Sequence, residues 1–328
     1  MEGLGLYYPW SMTTDSNGRI YVFNRSVGGF GTRITIMDLE ENYYGFFGKF
    51  GEEPGENKWP NGIAIDSNEK LYTTDEALNR VDVRNLDGDL LDTWGECGSD
   101  PGQLDGPSGI AINSRDELLI VDHSKGIQIF STRGKYLGSF GGPGSGDGQL
   151  NLPWGVFVNS SDEIYVADWG NNRVVKFSSS GDFLRVYGSF GSGAGEFNAP
   201  ASVCVDDEGY LYVADWGNQR IQILSPDGNF IQENEGQATI SKWAQDWLDV
   251  NVEEAQARLK SNLEPDIEFN TDDPHERSAH VERLFWCPSF VMIDAERRLH
   301  VVDSNRHRIQ VFDISDTDRL ILPDRLSI

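Results

Sequence analysis

The chain has 328 residues and carries 53 acidic against 27 basic side chains, a net charge of −26. A surface this acidic repels phosphate backbones and argues against a nucleic-acid partner; plain solvation, a cation or a basic protein would each account for it. The longest apolar runs are strand-sized, below the roughly 20 residues of a membrane helix, and the opening MEGLGLYYPW lacks the basic start and apolar core of a secretory signal.

Three cysteines, Cys97, Cys204 and Cys287, are odd in number and form no CxxC. Neither a disulfide framework nor a cysteine zinc site is expected, and a reducing cytoplasm fits best. The chain is expected to be a monomer.

In chain order, the first element is a strand opening at Pro9 (PWSMTTD). A polar turn, DSNGR, and a second strand ending at Asn24 follow. The same signals return five times. PNGIAID, PSGIAIN, PWGVFVN, PASVCVD and PSFVMID each begin a unit, and the second strands end at Asp75, Asp122, Asp168, Asp215 and Asp303. Short alternating runs separated by Asp/Asn/Gly clusters read as antiparallel strands. A third strand follows an Asn-x-Arg loop, a fourth carries motifs such as FLRVYG, and a Gly-rich linker crosses to the next proline. The six anchors are spaced by 51, 47, 46, 47 and 88 residues, so the last gap holds one repeat plus 41 extra residues. Units of this size cannot bury both faces alone and must stack, which predicts an all-β, six-bladed β-propeller of four-stranded blades over residues 1–328. Too few residues precede Pro9 for an outer strand. The outer strand of blade six is therefore expected around Arg319 to Leu322, with closure left mainly to packing between blades one and six.

Antiparallel strands alternate direction, so the anchor loops and the inter-blade crossovers share one face, here called upper. The extra residues form an insertion over 235–285 in the crossover between blades five and six. Ile240, Trp243 and Trp247 share one helical face, and a second helix is expected with Asn251 as N-cap and Glu254 at N3. The segment LEPDIEFNTDDPHER reads as loop. The insertion can serve as a clasp on the rim, a lid over the central pocket, or a docking surface.

The recurring D-x-x-N-x-R-[IV]-x-[IV]-F core and the G-x-F-x-x-P linker resemble the NHL-repeat family of propellers over nearly the whole chain. Blade one, RIYVFNRSVGGFGTRITIMD, also resembles the opening blade of the peptidyl-hydroxyglycine amidating lyases. That likeness implies a catalytic role for Arg25. It also places the lyase family's three zinc histidines at Asn61, Trp154 and Ser289 and its catalytic tyrosine near Ser124. None of these is the required residue, and tryptophan cannot ligate zinc. A gluconolactonase-like reading would use calcium through Asn61.

No resident cofactor is expected. The leading reading is a binding or scaffold module for a protein, peptide or small molecule; a hydrolase or lyase with a non-standard site is the alternative. Candidate ligand contacts are Trp10, Arg25, Asn61, His123, Trp154, Trp169, Trp216 and Trp286, all in or beside upper-face loops, where Trp supplies large contact area at low entropy cost. His123, Ser124 and Lys125 stand out because blade three alone has HSKG after its anchor and no Arg. The repeated Asp and Arg residues read as architectural, and His275 and His280 as solvated surface residues.

Overall fold

The computed structural model describes residues 5–26, 31–237, 240–265, 268–269, 272–315 and 319–321. Its strands form six four-stranded antiparallel sheets, each ordered as the chain runs. The six inner strands are Pro9–Thr14, Pro60–Ile65, Pro107–Ile112, Val156–Val158, Pro200–Val205 and Pro288–Ile293. Arg319–Ile321 supplies the outer strand of blade six, pairing with Asp313–Ser315, as the sequence predicts. Among the described residues no helix is long and apolar enough to cross a membrane.

The repeat is written into the register. Pro9 faces Asn24, Pro60 faces Asp75, Pro107 faces Asp122, Pro200 faces Asp215 and Pro288 faces Asp303. Proline fits here because it opens the strand and has no N–H to donate to the ladder. The pairing then slips immediately beyond each proline, and such irregularities re-aim side chains. Trp10, Asn61, Ser108, Ala201 and Ser289 sit in these slips. In blade four Pro153 and Trp154 precede the strand. One residue later, glycine lets adjacent inner strands touch: a Cβ on Gly109 would meet Trp154 O at 2.6 Å, and one on Gly155 would meet Ala201 O at 2.6 Å.

Burial follows the seams between blades. Tyr72 and Val83 of blade two meet Leu118 and Phe130 of blade three, and Tyr165 and Tyr187 of blade four meet Val203 and Leu211 of blade five. The closing seam packs Ile309 and Val311 of blade six on Met12, Ile20 and Met37 of blade one. The repeated anchors hold the upper loops. Asp215 accepts from Asn198 N, the Asn218 amide and Arg220 Nε, and Arg220 donates onward to Gly193 O and Glu196 O. Asp303 makes the same bonds to Trp286 N and Arg308 Nε, at 2.7 and 2.8 Å. These carboxylates are architectural, because the bonds they accept tie together the loop they close.

The insertion contains three helices: α1 (Lys242–Val250), α2 (Val252–Lys260) and α3 (Pro274–His280). Helix α3 corrects the expected loop: Asp273 caps it by accepting from His275 N, and Pro274 opens its first turn. Asn251 stands at the N-cap of α2 but forms no capping box. Its amide instead donates to Trp247 O, closing the end of α1. Helix α1 also leaves the upper face. It docks on the turn at 38–42 of blade one, which strand alternation places on the lower face. There Glu41 accepts from Lys242 N and Trp243 N, and the Trp243 indole donates to Glu41 O at 2.7 Å. Trp243 packs against the blade six–blade one cluster, whereas Ile240 and Trp247 are exposed. Ring closure therefore rests on this helical clasp as well as on packing between the two blades.

Candidate functional site

Two positions per blade lie at the end of the strands that alternation places at the upper mouth of the central channel. Those after the opening proline are Trp10, Asn61, Ser108, Trp154, Ala201 and Ser289. Those after the anchor are Arg25, Glu76, His123, Trp169, Trp216 and Ser304. The anchors barely vary from blade to blade. The residues beside them vary far more, with only Trp169 and Trp216 alike after the anchor.

Blades one and four lie opposite each other, and their tryptophans meet over the channel. The Trp10 and Trp154 rings are 5.3 Å apart. Beneath them the space between the inner strands is about 20 Å³, lined by Asn61, Gly109, Trp154 and Ser289 among others, which is little more than one water. The tryptophan pair is thus the floor of a bowl and not the entrance to a tunnel.

One wall is polar. The Arg25 guanidinium lies 3.9 Å from the Trp10 ring and 4.5 Å from Trp59, sandwiched between two indoles. Its Nε donates to Pro60 O at 2.9 Å, and its Nη2 lies 3.8 Å from Glu76, too far for a direct hydrogen bond. Burial lowers its pKa to about 9, against the opposing charges of Glu76 and Asp75; it is still a cation at neutral pH. Glu76 accepts from the Asn61 amide at 3.2 Å, and Asn61 Oδ1 accepts from the Trp10 indole at 3.0 Å. His123 joins this wall. Burial lowers its pKa below the ordinary 6.5, with the charges of Glu76 and Asp122 acting the other way and Arg25 reinforcing the fall. Gly106 makes room for the imidazole: its φ is +69°, and a Cβ there would come within 2.9 Å of His123 Nδ1.

The other wall is aromatic. Trp154 meets Trp169 edge-on at 5.4 Å, and Trp169 lies 6.5 Å from Trp216. His275 of α3 continues the series, 6.5 Å from Trp216 and 5.6 Å from Trp286. The Trp286 indole donates to His275 Nε2 at 2.9 Å, and His275 Nδ1 lies 3.7 Å from Cys287 Sγ. An acceptor role at Nε2 leaves the proton on Nδ1, so the ring cannot take the thiol proton, and burial pushes Cys287 up to about 12. This Cys–His pair is a packing contact and not a nucleophile with its base.

Seven of the eight expected residues are linked by ring and hydrogen-bond contacts, Arg25 and Asn61 through Trp10, and Trp154, Trp169, Trp216 and Trp286 through one another and His275; His123 relates to them through the charges of Arg25 and Glu76. Two members escaped the sequence reading. Glu76 occupies the slot of Arg25 and His123 in the intervening blade, and comparing that slot across all blades would have found it. His275, expected to be solvated, is half-buried, held by α3 against Trp286 nearby in the chain and against Trp216 of the preceding blade. Lys125 resolves the departure in blade three. Its ammonium donates to Gly98 O and Gln103 O, both at 2.6 Å, and so replaces the repeat arginine. Ser124 bonds the anchor Asp122.

The zinc slots implied by the lyase resemblance do not fit a metal. Asn61 spends its amide on Trp10 and Glu76, and Ser289 Oγ donates to Trp10 O. Among the described residues no three His, Cys, Asp or Glu side chains are grouped to hold an ion.

The NHL repeat family's profile matches residues 150–177 and 197–224, which lie in blades four and five. No curated protein matches the chain in sequence. Among solved structures, a catalytically inactive virginiamycin B lyase of Staphylococcus aureus with quinupristin has a TM-score of 0.59 at 12% identity, covering 98% of this chain and 86% of that one. A Bacteroides thetaiotaomicron protein of unknown function has a TM-score of 0.58 at 16% identity, covering 93% of this chain and 69% of that one. A chain of a nidogen/laminin complex has a TM-score of 0.51 at 19% identity, over 69% of this chain and 79% of that one. Likeness at these identities establishes the fold alone.

Proposed function

We propose that this chain, an NHL-repeat six-bladed β-propeller, is a binding module that takes a peptide or small molecule in the bowl over its closed channel. The observation that carries this reading is the contrast between neighbouring positions. The anchors repeat because the fold needs them. The adjacent slot reads Arg25, Glu76, His123, Trp169, Trp216 and Ser304, a set that does not repeat with the fold except at the two tryptophans. An indole floor with an aromatic wall suits a flat apolar face of the ligand. Arg25, Glu76 and His123 supply a cation, a carboxylate and a neutral imidazole to orient its polar edge.

The test is calorimetric titration with a panel of aromatic-containing peptides and polar ring compounds, repeated on Trp154→Ala and Glu76→Gln. The proposal expects a binder that both variants weaken at least about tenfold, which is about 1.4 kcal/mol, with circular dichroism unchanged. A binder indifferent to both substitutions would place the site elsewhere and overturn the reading.

One observation favours an enzymatic reading: three ionisable groups in consecutive blades, two with shifted pKa, face one channel mouth. Virginiamycin B lyase, which shares the fold, is by name a lyase. Turnover of a bound ligand that disappears in His123→Gln while affinity persists would establish it. Unchanged ligand after prolonged incubation would leave the binding reading alone.

A further inference from the structure

Blades are tied to one another across the upper rim by a latch that repeats. The residue before the repeat arginine lies in the left-handed region, with φ of 52° at Asn79, 55° at Asn172, 57° at Gln219 and 55° at His307. From there its side chain accepts the backbone N–H that precedes the opening proline of a following blade. Asn79 Oδ1 accepts from Gly106 N and Asn172 Oδ1 from Ala199 N, both at 2.8 Å, and Gln219 Oε1 accepts from Cys287 N at 2.7 Å. At the closing seam the acceptor is His307 Nδ1, 2.9 Å from Tyr8 N. Three latches are amides, whose carbonyl oxygen accepts at any pH. The one joining blade six to blade one is an imidazole.

A neutral imidazole that accepts at Nδ1 carries its proton on Nε2, whereas an imidazolium has N–H on both nitrogens and accepts nothing. Protonation therefore turns the Tyr8 bond into two donors facing each other. His307 is exposed, so protons reach it, while partial desolvation at the seam lowers its pKa below the ordinary 6.5. A bond made only by the neutral form acts in the same direction. Around the ring stand Tyr8, edge-on at 4.4 Å, Arg25, whose backbone N–H donates to Tyr8 O, and Arg306 and Arg308 on either side in the chain. The blade six anchor Asp303 is engaged by Arg308 at 2.8 Å, and burial raises its pKa to about 6. Among the described residues no carboxylate pairs with His307 to hold its charged form. The neighbouring bonds across this seam, from Ser304 Oγ to Pro9 O and from Ser289 Oγ to Trp10 O, do not ionise.

We infer that His307 is a pH-sensitive latch on the closing seam: its neutral imidazole ties blade six to the start of blade one, and its imidazolium lets go. The latch is closed above pH 6.5 and opens as pH falls through the folded pKa. What it frees is the segment leading into Pro9 and Trp10, whose Tyr8 carbonyl also takes the Arg25 N–H, so acid loosens the rim beside the bowl. The inference rests on the seam and not on the ligand proposed for the bowl.

The test follows amide hydrogen-exchange protection in the full chain at neutral pH and at about pH 4.5. Tyr8 protection should fall at least about fivefold in acid, the worth of one hydrogen bond, while Ala199, latched by Asn172, keeps its own. His307→Asn installs the amide of the other seams and should hold Tyr8 protected at both pH values. His307→Ala should leave it weak at both, and since the residue is exposed, both variants fold. His123 and Asp303 still titrate in these variants, so their pH responses separate from that of the latch. The ¹⁵N shifts of the His307 ring should show the Nε2–H tautomer at neutral pH. Tyr8 protection that does not change with pH in the wild type, or that falls equally in His307→Asn, would overturn the inference, as would an Nδ1–H tautomer.

Discussion

Replacing Trp243 with alanine tests whether the insertion closes the ring. Trp243 is half-buried on the blade six–blade one cluster, meets Tyr43 edge-on at 6.2 Å, and donates its indole hydrogen to Glu41 O. A fully buried Trp→Ala costs about 3–5 kcal/mol, and roughly half applies to a half-buried ring. The lost hydrogen bond adds about 1 kcal/mol, for a total near 3 kcal/mol. Unfolding entropy scales at about 2.1 cal/mol/K per residue, so a chain of 328 residues should melt roughly 4 °C lower. Hydrogen exchange locates the effect: amides of α1 and α2 should lose protection first, followed by those of the blade six–blade one seam. Glu41→Gln, which removes only the charge facing the α1 N-terminus, should cost about 0.5–1 kcal/mol. A Trp243→Ala variant melting within about 1 °C of wild type, with seam amides equally protected, would refute the clasp.

Further outcomes follow from the site. The His123 imidazole should titrate by NMR below 6.5, since burial lowers it. Its folded pKa lies under its unfolded value, so the stability it contributes is present above pH 6.5 and is lost as pH falls through the folded pKa; His123→Gln should flatten that part of the pH profile. Lys125→Met leaves the carbonyls of Gly98 and Gln103 without their donor and should cost about 3–6 kcal/mol in urea denaturation, because hydrogen bonds to a charged group are worth about 1.5–3 kcal/mol each; Lys125→Arg should recover most of it. Iodoacetamide at mildly alkaline pH should label the exposed Cys97 and spare Cys204 and Cys287, which are buried and whose thiols burial pushes upward.

The ring was legible in the sequence because its signals are local and repeated. A proline, a slip, an alternating strand and an acidic anchor recur in each unit, and the register pairs each proline with its anchor in five blades. The positions of Trp10 and Trp154 were legible for the same reason, since their slots follow the opening proline. What escaped depends on contacts across long chain separations. Nothing local to Glu41 announces that a helix some 200 residues later will seat Trp243 on it. Likewise, His275 meets Trp216 of the preceding blade only because α3 folds back over the rim. Asn251 shows the finer limit: the residue stands at the expected boundary, but its amide serves the preceding helix, because the two helices abut without a linker. The polar wall was half visible. His123 stands out as a departure from neighbouring blades and Arg25 through the lyase resemblance of blade one, whereas Glu76 reads as one more acidic residue in an acidic chain.

The most direct test of the bowl is the set of indole N–H resonances in a ¹⁵N-labelled, perdeuterated sample titrated with the tightest ligand from the panel. Signals of Trp10, Trp154, Trp169, Trp216 and Trp286 should move together as the site saturates, while Trp94 and Trp247 stay fixed. Shifts confined to Trp247, or saturation that leaves the Trp10–Trp154 floor unmoved, would contradict it.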